Sequence, residues 1–268
     1  MILAASTEAA AATEAALSIG PVYWAWFIGA VLIFLALDLG VFHRKPHAVG
    51  FGEALMWTSI WFSMSMAFAF WIAPAMVGEQ WTGDHTKLFI TGYVVELSLS
   101  MDNVFVIALI FSFFRVPAEF QHRVLFWGIL GALIMRAAMI LLGASLIHQF
   151  HWILYLFGAF LLITGIKMLF ACDEEVEPEK NFAIRLARKF YPVSTQFDGQ
   201  KFFTELDGRR ALTPLALCLI MVETTDLIFA VDSIPAIFGI TTEAFIVFTS
   251  NVFAILGLRS LYFVLVGL

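Results

Sequence analysis

Residues 123–144 read RVLFWGILGALIMRAAMILLGA. Arg123 stands at the edge of this stretch, and Arg136 is the only charge inside it. An α-helix rises about 1.5 Å per residue, so a helix of this length crosses a hydrocarbon core of ~30 Å. A soluble helix would show a polar face, and this one has none. Working outward, comparable apolar blocks recur at 22–42, 54–76, 88–113, 149–171, 213–238 and 244–266. Hydrophobic residues make up 61% of the chain and charged residues 13%, with a mean hydropathy of +0.90. A soluble domain carries about 25% charged residues. Trp24, Trp26, Trp57, Trp61, Trp152 and Tyr155 lie near the block ends, where amphipathic rings prefer the membrane interface. The expected fold is all-α: a polytopic transmembrane helix bundle with at least seven spans.

The polar segments set the organisation. Residues 1–20 are Ala-rich, with Glu8 and Glu14 and no positive n-region, so they read as a mobile N-terminal tail and not a signal peptide. The transmembrane domain is expected over 21–268, with its first spans in 22–171 and its last in 213–268. Between them, 173–212 is too polar to span. It opens with Asp173, Glu174, Glu175, Glu177 and Glu179, and continues with Arg185, Arg188, Lys189, Lys201, Arg209 and Arg210. A short amphipathic helix is expected at 181–190. With the N-terminus outside, inside segments hold Arg44, Lys45, Arg115, Arg123, Lys180 and the six bases just named, against Lys87 alone outside. That bias predicts an outside N-terminus and a cytoplasmic 173–212 loop. The last span runs almost to Leu268, so the chain is expected either to stop abruptly or to lack further spans. The net charge of −6 and the absence of a basic cluster argue against a nucleic-acid partner. Cys172 and Cys218 are too few and too far apart for a disulfide scaffold or a CxxC site.

Ionisable groups inside the apolar blocks are the informative residues. A charge at mid-bilayer costs about 2.5–3.5 kcal/mol even on lenient scales. The blocks contain Asp38, Glu96, Asp102, Glu223, Asp226 and Asp232, with Arg136 and Arg259 as countercharges. The acids therefore exceed the bases. The excess must be protonated, hydrated or neutralised by a bound cation. The segments Glu96-Leu-Ser-Leu-Ser-Met-Asp102-Asn103 and Glu223-Thr-Thr-Asp226-Leu-Ile-Phe-Ala-Val-Asp232-Ser233-Ile-Pro235 resemble each other. Glu96 to Asp102 and Asp226 to Asp232 share one spacing, and each second acid precedes a small polar residue. In the expected topology the two segments run in opposite directions, the pattern of an inverted repeat with substrate at the midplane.

On a continuous helix Glu96 and Asp102 point about 120° apart and would not share one ion. A local unwinding is therefore expected. Pro235 favours it in the second segment, and Ser98, Ser100 and Asn103 compete for backbone bonds in the first. The candidate ligands are all oxygen donors, which suits hard cations such as Mn²⁺, Mg²⁺ or Ca²⁺. Residue types do not choose among these.

The segments TGYVVELSLSMDNVFV (91–106), RVLFWGILGALIMRAAMI (123–140), WILYLFGAFLLITGIKM (152–168), FAVDSIPAIFGIT (229–241) and SNVFAILGLRSLYF (250–263) resemble the TerC family of integral membrane proteins. The resemblance runs over roughly 22–268 and is closest to bacterial members linked to manganese efflux and alkaline-pH response. It implies a bacterial inner-membrane exporter of a divalent cation, Mn²⁺ first. It carries the family's metal-site residues onto Glu96, Asp102, Asn103, Glu223, Asp226, Asp232 and Ser233, and a family aspartate onto Asp38. Family members usually continue for one or two more spans.

Each residue also has a plainer reading. Asp102 and Asp232 would be structural carboxylates, and Glu96 and Asp226 proton carriers. Glu223 would stand behind a ligand, and Asn103 and Ser233 would cap helices. Asp38, near the inner end of its span, is assigned to a gate or to ligation. Arg136 and Arg259 would repel a cation, so they are assigned to structural or gating salt bridges with the acids. Lys167 is expected to snorkel to the interface. No HExxH, GxSxG or Ser/His pair occurs in the spans, so the chain is not expected to be an enzyme. No permanently bound cofactor is expected. The expected partners are the lipid bilayer, the divalent ion as transported substrate, and protons as coupling ions for alternating access. The alternative function is a non-transporting scaffold or stress-response partner, related to tellurite or alkaline pH, with 173–212 as its docking loop. The sequence carries no signal for an oligomeric state.

Overall fold

The computed structural model describes residues 17, 19–37, 50–150, 152–170, 181–206 and 208–267. Asp38, the acidic run at 173–179 and most of the N-terminal tail lie outside the described residues. Helix α1 is Pro21–Leu37, and α2 covers Phe51–Gln80. Helices α3 (Gly83–Phe114), α4 (Ala118–Gln149) and α5 (Ile153–Phe170) follow through short turns. Next come α6 (Phe182–Phe190) and the antiparallel strands β1 (Phe203–Leu206) and β2 (Arg209–Leu212). Helices α7 (Pro214–Phe238) and α8 (Ala244–Val266) complete the fold.

Helices α2, α3, α4, α7 and α8 are long and apolar enough to cross a membrane. Helices α1 and α5 are apolar but shorter. Seven apolar helices stand where spans were expected, and on length five of them qualify as crossings. Within α2 the backbone widens to a π turn at Phe68–Ile72. Pro74 lacks the N–H that would bond four residues back, and the wider turn lets the Ala73 N–H reach the Phe68 carbonyl instead. Between α3 and α4, Arg115 takes a left-handed conformation (φ 51°). The following Val116 N–H bonds back to Phe111 O at 2.9 Å, closing α3 before Pro117 and α4.

Helix α8 is the central element. It packs on α2, α3 and α4, and 89% of its apolar window is buried by protein. Helix α7 packs on α3, α4, α5 and α6. Two apolar cores fill the bundle ends. One joins Phe27, Phe68, Phe89, Phe245 and Phe253, with the end of α7 at Ile237 and Phe238. The other joins Ile110, Phe111 and Tyr262, with the start of α7 at Leu215 and Cys218. The beginning of α3 thus shares a core with the end of α7, so these two helices are antiparallel.

The stretch expected as an aqueous loop is built where it is described. Helix α6 is capped by the Asn181 side chain, which accepts from the Ala183 and Ile184 N–H groups. Ile184 and Leu212 are buried in the second core. The Thr213 hydroxyl donates to Lys201 O at 2.8 Å, tying the hairpin to the first turn of α7. At the other end of the bundle Leu17 is buried, and its N–H donates to the Glu243 carboxylate at 3.2 Å. The last part of the expected tail is therefore docked.

Candidate cation site at mid-bundle

No break occurs at either acidic segment. Helix α3 runs unbroken through Glu96–Asn103, and α7 continues past Asp232 with Pro235 inside it. This corrects the expected unwinding. Ser98 donates to Val94 O at 2.8 Å, and Thr224 and Thr225 donate to Ile220 O and Met221 O at 2.7 and 2.8 Å. These hydroxyls bond back one turn within unbroken helices. In lipid, an opened ladder would strand backbone groups that no water can satisfy. The consequence is the divergence that regular helix geometry imposes. Glu96 is 1% exposed and turns into the bundle, whereas Asp102 is exposed and lines a cavity.

Arg136, 2% exposed near the middle of α4, collects the inward groups. Its Nη1 donates to the Glu96 carboxylate and to Asn251 Oδ1 on α8 at 3.0 Å. Ser233 Oγ and Asp226 Oδ1 on α7 accept from Nη1 and Nη2 at a longer 3.4 Å. Ser100 donates to Glu96 at 3.2 Å. Asn251 Nδ2 donates to Val247 O at 2.8 Å, which fixes the amide with its oxygen toward Arg136. Asn103 Nδ2 approaches Asp226 Oδ1 at 3.4 Å. One guanidinium therefore serves a carboxylate from each acidic segment. Its described ion pairs are to Glu96 and Asp226.

Two acceptor atoms in this layer have no hydrogen-bond partner. Asn103 Oδ1 and Asp226 Oδ2 are both buried and unpaired. A buried oxygen left without a donor costs about 1–3 kcal/mol, more when charged.

Beside this layer is a cavity of about 330 Å³. Its polar lining is Glu96, Asp102 and Asn103 from α3, Arg136 from α4, Thr164 and Lys167 from α5, and Asp232 and Ser233 from α7. At ~30 Å³ per water, that volume accommodates a cation with much of its hydration shell. Asp102 and Asp232, the second acids of the two segments, both face it. Glu96 and Asp226, the first acids, both face Arg136.

The remaining candidates are placed differently. Glu223 is not among the lining residues. Its carboxylate rests on Gly131 of α4, where a Cβ would collide with it. Arg259 is half-buried on α8 and does not line the cavity. Among the described residues, no three Asp, Glu, His or Cys side chains converge as a ready-made metal cluster. The seven oxygen donors therefore do not form one coordination shell. Lys167, expected at the interface, is exposed and also lines the cavity with Asp102 and Asp232. Asn251 was missed, because a single amide in an apolar span gives little signal without its partner.

Residues 81–268 match the integral membrane protein TerC family. The chain belongs to that family. The TerC match spans all of the helices that line the cavity and hold Arg136. A membrane protein of Myxococcus xanthus is 53% identical over 249 residues, 92% of this chain and 76% of the relative. Alx of Escherichia coli K12, a proposed membrane-bound redox modulator, is 47% identical over 251 residues, 92% of this chain and 78% of its own length. A Rickettsia bellii membrane protein is 40% identical over 242 residues, 90% of this chain and 78% of the relative. No solved structure matches the chain.

Proposed function

We propose that this TerC protein exports a divalent cation, Mn²⁺ first, through the mid-bundle cavity by alternating access. The observation that carries this reading is the pair of buried, unpartnered oxygens, Asn103 Oδ1 and Asp226 Oδ2, beside a carboxylate-lined cavity. The charge balance supports it. Arg136 and Lys167 offset only part of the negative charge of Glu96, Asp102, Glu223, Asp226 and Asp232. Asp102 and Asp232 take the incoming ion at the cavity. Asn103, Asp226 and Ser233 complete its oxygen shell when the helices shift, and Glu96 and Arg136 hold the layer. Glu223 stands behind Asp226, and Asp38 and Arg259 serve as gate or structural charges.

The two acidic segments act as an inverted repeat in this scheme, on at least seven spans once α1 and α5 are counted. The antiparallel run of α3 and α7 and the like placement of their acids support it. The N-terminus lies outside a bacterial inner membrane, with the α6–hairpin segment in the cytoplasm. No permanently bound cofactor and no enzymatic step enter the scheme. Outward movement of a divalent ion against a negative interior costs about 4.6 kcal/mol per 100 mV, so transport needs coupling. Proton antiport through the same carboxylates is the simplest route.

The test is Mn²⁺ flux in proteoliposomes, with wild type beside Asp102→Asn/Asp232→Asn. Flux in the wild type and none in the variant supports export. Indifference of that flux to an imposed pH gradient removes the proton coupling. A second reading is a non-transporting membrane stress-response partner, with which the redox-modulator role proposed for Alx is compatible. Absence of flux with a stress phenotype intact in both proteins would favour it.

A further inference from the structure

Helix α6 presents three distinct faces. At ~100° per residue, Ala183, Ile184 and Ala187 fall on one arc, and this arc meets the bundle: Ile184 is fully buried and Ala187 packs on the second core. Arg185, Arg188 and Lys189 fall together on another arc, and all are exposed. Phe182, Leu186 and Phe190 form the third, an apolar edge at successive turns that is 72%, 44% and 70% exposed. A helix surrounded by water on its free side has no use for that edge. A helix lying between a bundle, an acyl layer and a layer of headgroups needs all three faces.

Its height in the fold fits that setting. Asn181, which caps α6, places its Nδ2 3.2 Å from the Met221 sulfur. Met221 lies two turns into α7, about 10 Å beyond that helix's first residue. Helix α7 exceeds a ~30 Å hydrocarbon core by only a few ångströms at each end. The start of α6, with the highly exposed Phe182, therefore lies about 6 Å inside the hydrocarbon edge, within the ~5–10 Å depth at which interfacial helices bury their apolar faces.

We infer that α6 is an interfacial anchor: Phe182, Leu186 and Phe190 sit among acyl chains, and Arg185, Arg188 and Lys189 hold the phosphates of anionic lipids. Guanidinium forks suit phosphate oxygens, and bases beside a membrane are drawn to a negative leaflet within about a Debye length. Because Ile184 and Leu212 share a core with the start of α7, the anchor couples the lipid surface to the end of the helix that carries Asp226 and Asp232. The inference does not depend on what the cavity transports.

The test uses the full chain in nanodiscs of phosphatidylcholine alone or rich in phosphatidylglycerol. Nitroxides are placed by Leu186→Cys, Phe190→Cys or Lys189→Cys in a Cys172→Ser/Cys218→Ala background. Labels at 186 and 190 should collide with oxygen in preference to a water-soluble nickel chelate, with the reverse order at 189. Equal access of the chelate to all three positions would overturn the anchor and leave the edge facing solution, open to a soluble partner. A second measurement needs no label: amide exchange over 182–190 in the otherwise unaltered protein and in Arg185→Gln/Arg188→Gln/Lys189→Gln. The wild type should exchange about tenfold more slowly in the anionic bilayer, and the triple variant should lose that difference. Equal wild-type rates in the two lipids would overturn the headgroup contact.

Discussion

The Glu223 carboxylate of α7 occupies the space that Gly131 of α4 leaves open; no side chain at 131 can coexist with it in this rotamer. The contact brings an acid into a helix–helix interface. Gly131→Ala should force the carboxylate out and destabilise the bundle by about 1–2 kcal/mol, as modest overpacking does. Glu223→Ala on the same background should recover most of the loss. Thermal melting of both single variants and the double variant checks this, and strict additivity would speak against the contact.

Arg136 is the only base whose described contacts join the two acidic segments, through Glu96 and Asp226. Arg136→Gln leaves two buried carboxylates uncompensated and should cost about 3–5 kcal/mol. Arg136→Lys should rescue little, because one ammonium does not reproduce a fork reaching carboxylates on two helices. Melting temperatures in detergent measure both. A lysine variant as stable as wild type would show that charge alone suffices.

Asp102 and Asp232 differ from that pair in having cavity-facing, accessible side chains. Asp102→Asn and Asp232→Asn should each leave the melting point within about 0.5 kcal/mol of wild type while abolishing Mn²⁺ flux. Glu96→Gln should do the opposite first, lowering stability by removing a partner of Arg136. The separation is read by running melts and flux on the same preparations.

Mn²⁺ itself should stabilise the protein. A ligand at a hundred times its dissociation constant contributes about 2.7 kcal/mol, so the melting point should rise with Mn²⁺ and fall back on chelation. Asn103→Leu, which removes one of the two unpartnered oxygens, should shrink that rise. An unchanged rise in the variant would exclude Asn103 from the ion's shell.

Outside the membrane, Asp198 accepts from Lys201 Nζ at 3.1 Å and Thr204 Oγ1 at 3.0 Å. The Lys201 hydrogen bond is the main reason its carboxyl is held below its ordinary value of 3.8. A lowered folded-state pKa gives a contribution that is complete above the unfolded value and lost as pH falls through the folded one. Amide protection across 198–206 should thus be level from neutrality down to about pH 5 and decline only below about pH 4. A decline already near pH 6 would rule this carboxyl out as its cause.

The sequence alone determined the membrane class, the positions of the apolar helices, an amphipathic helix near 181–190 and which acids fall inside apolar stretches. Those are local properties: hydropathy over a window, charge in an apolar run, and residue spacing along one helix. It did not determine whether the acidic segments unwind: Ser98, expected to compete with the backbone, bonds to Val94 O within an unbroken helix instead. Nor did it divide the acids between two tasks. Which carboxylate meets Arg136 and which meets the cavity depends on helix rotation and on neighbours from distant parts of the chain: Arg136 on α4, Lys167 on α5 and Asn251 on α8. They are brought to the acids by α4, which packs on both α7 and α8, and by α5, which packs on α7. The tertiary packing, and no shorter-range rule, places these polar groups beside the acids.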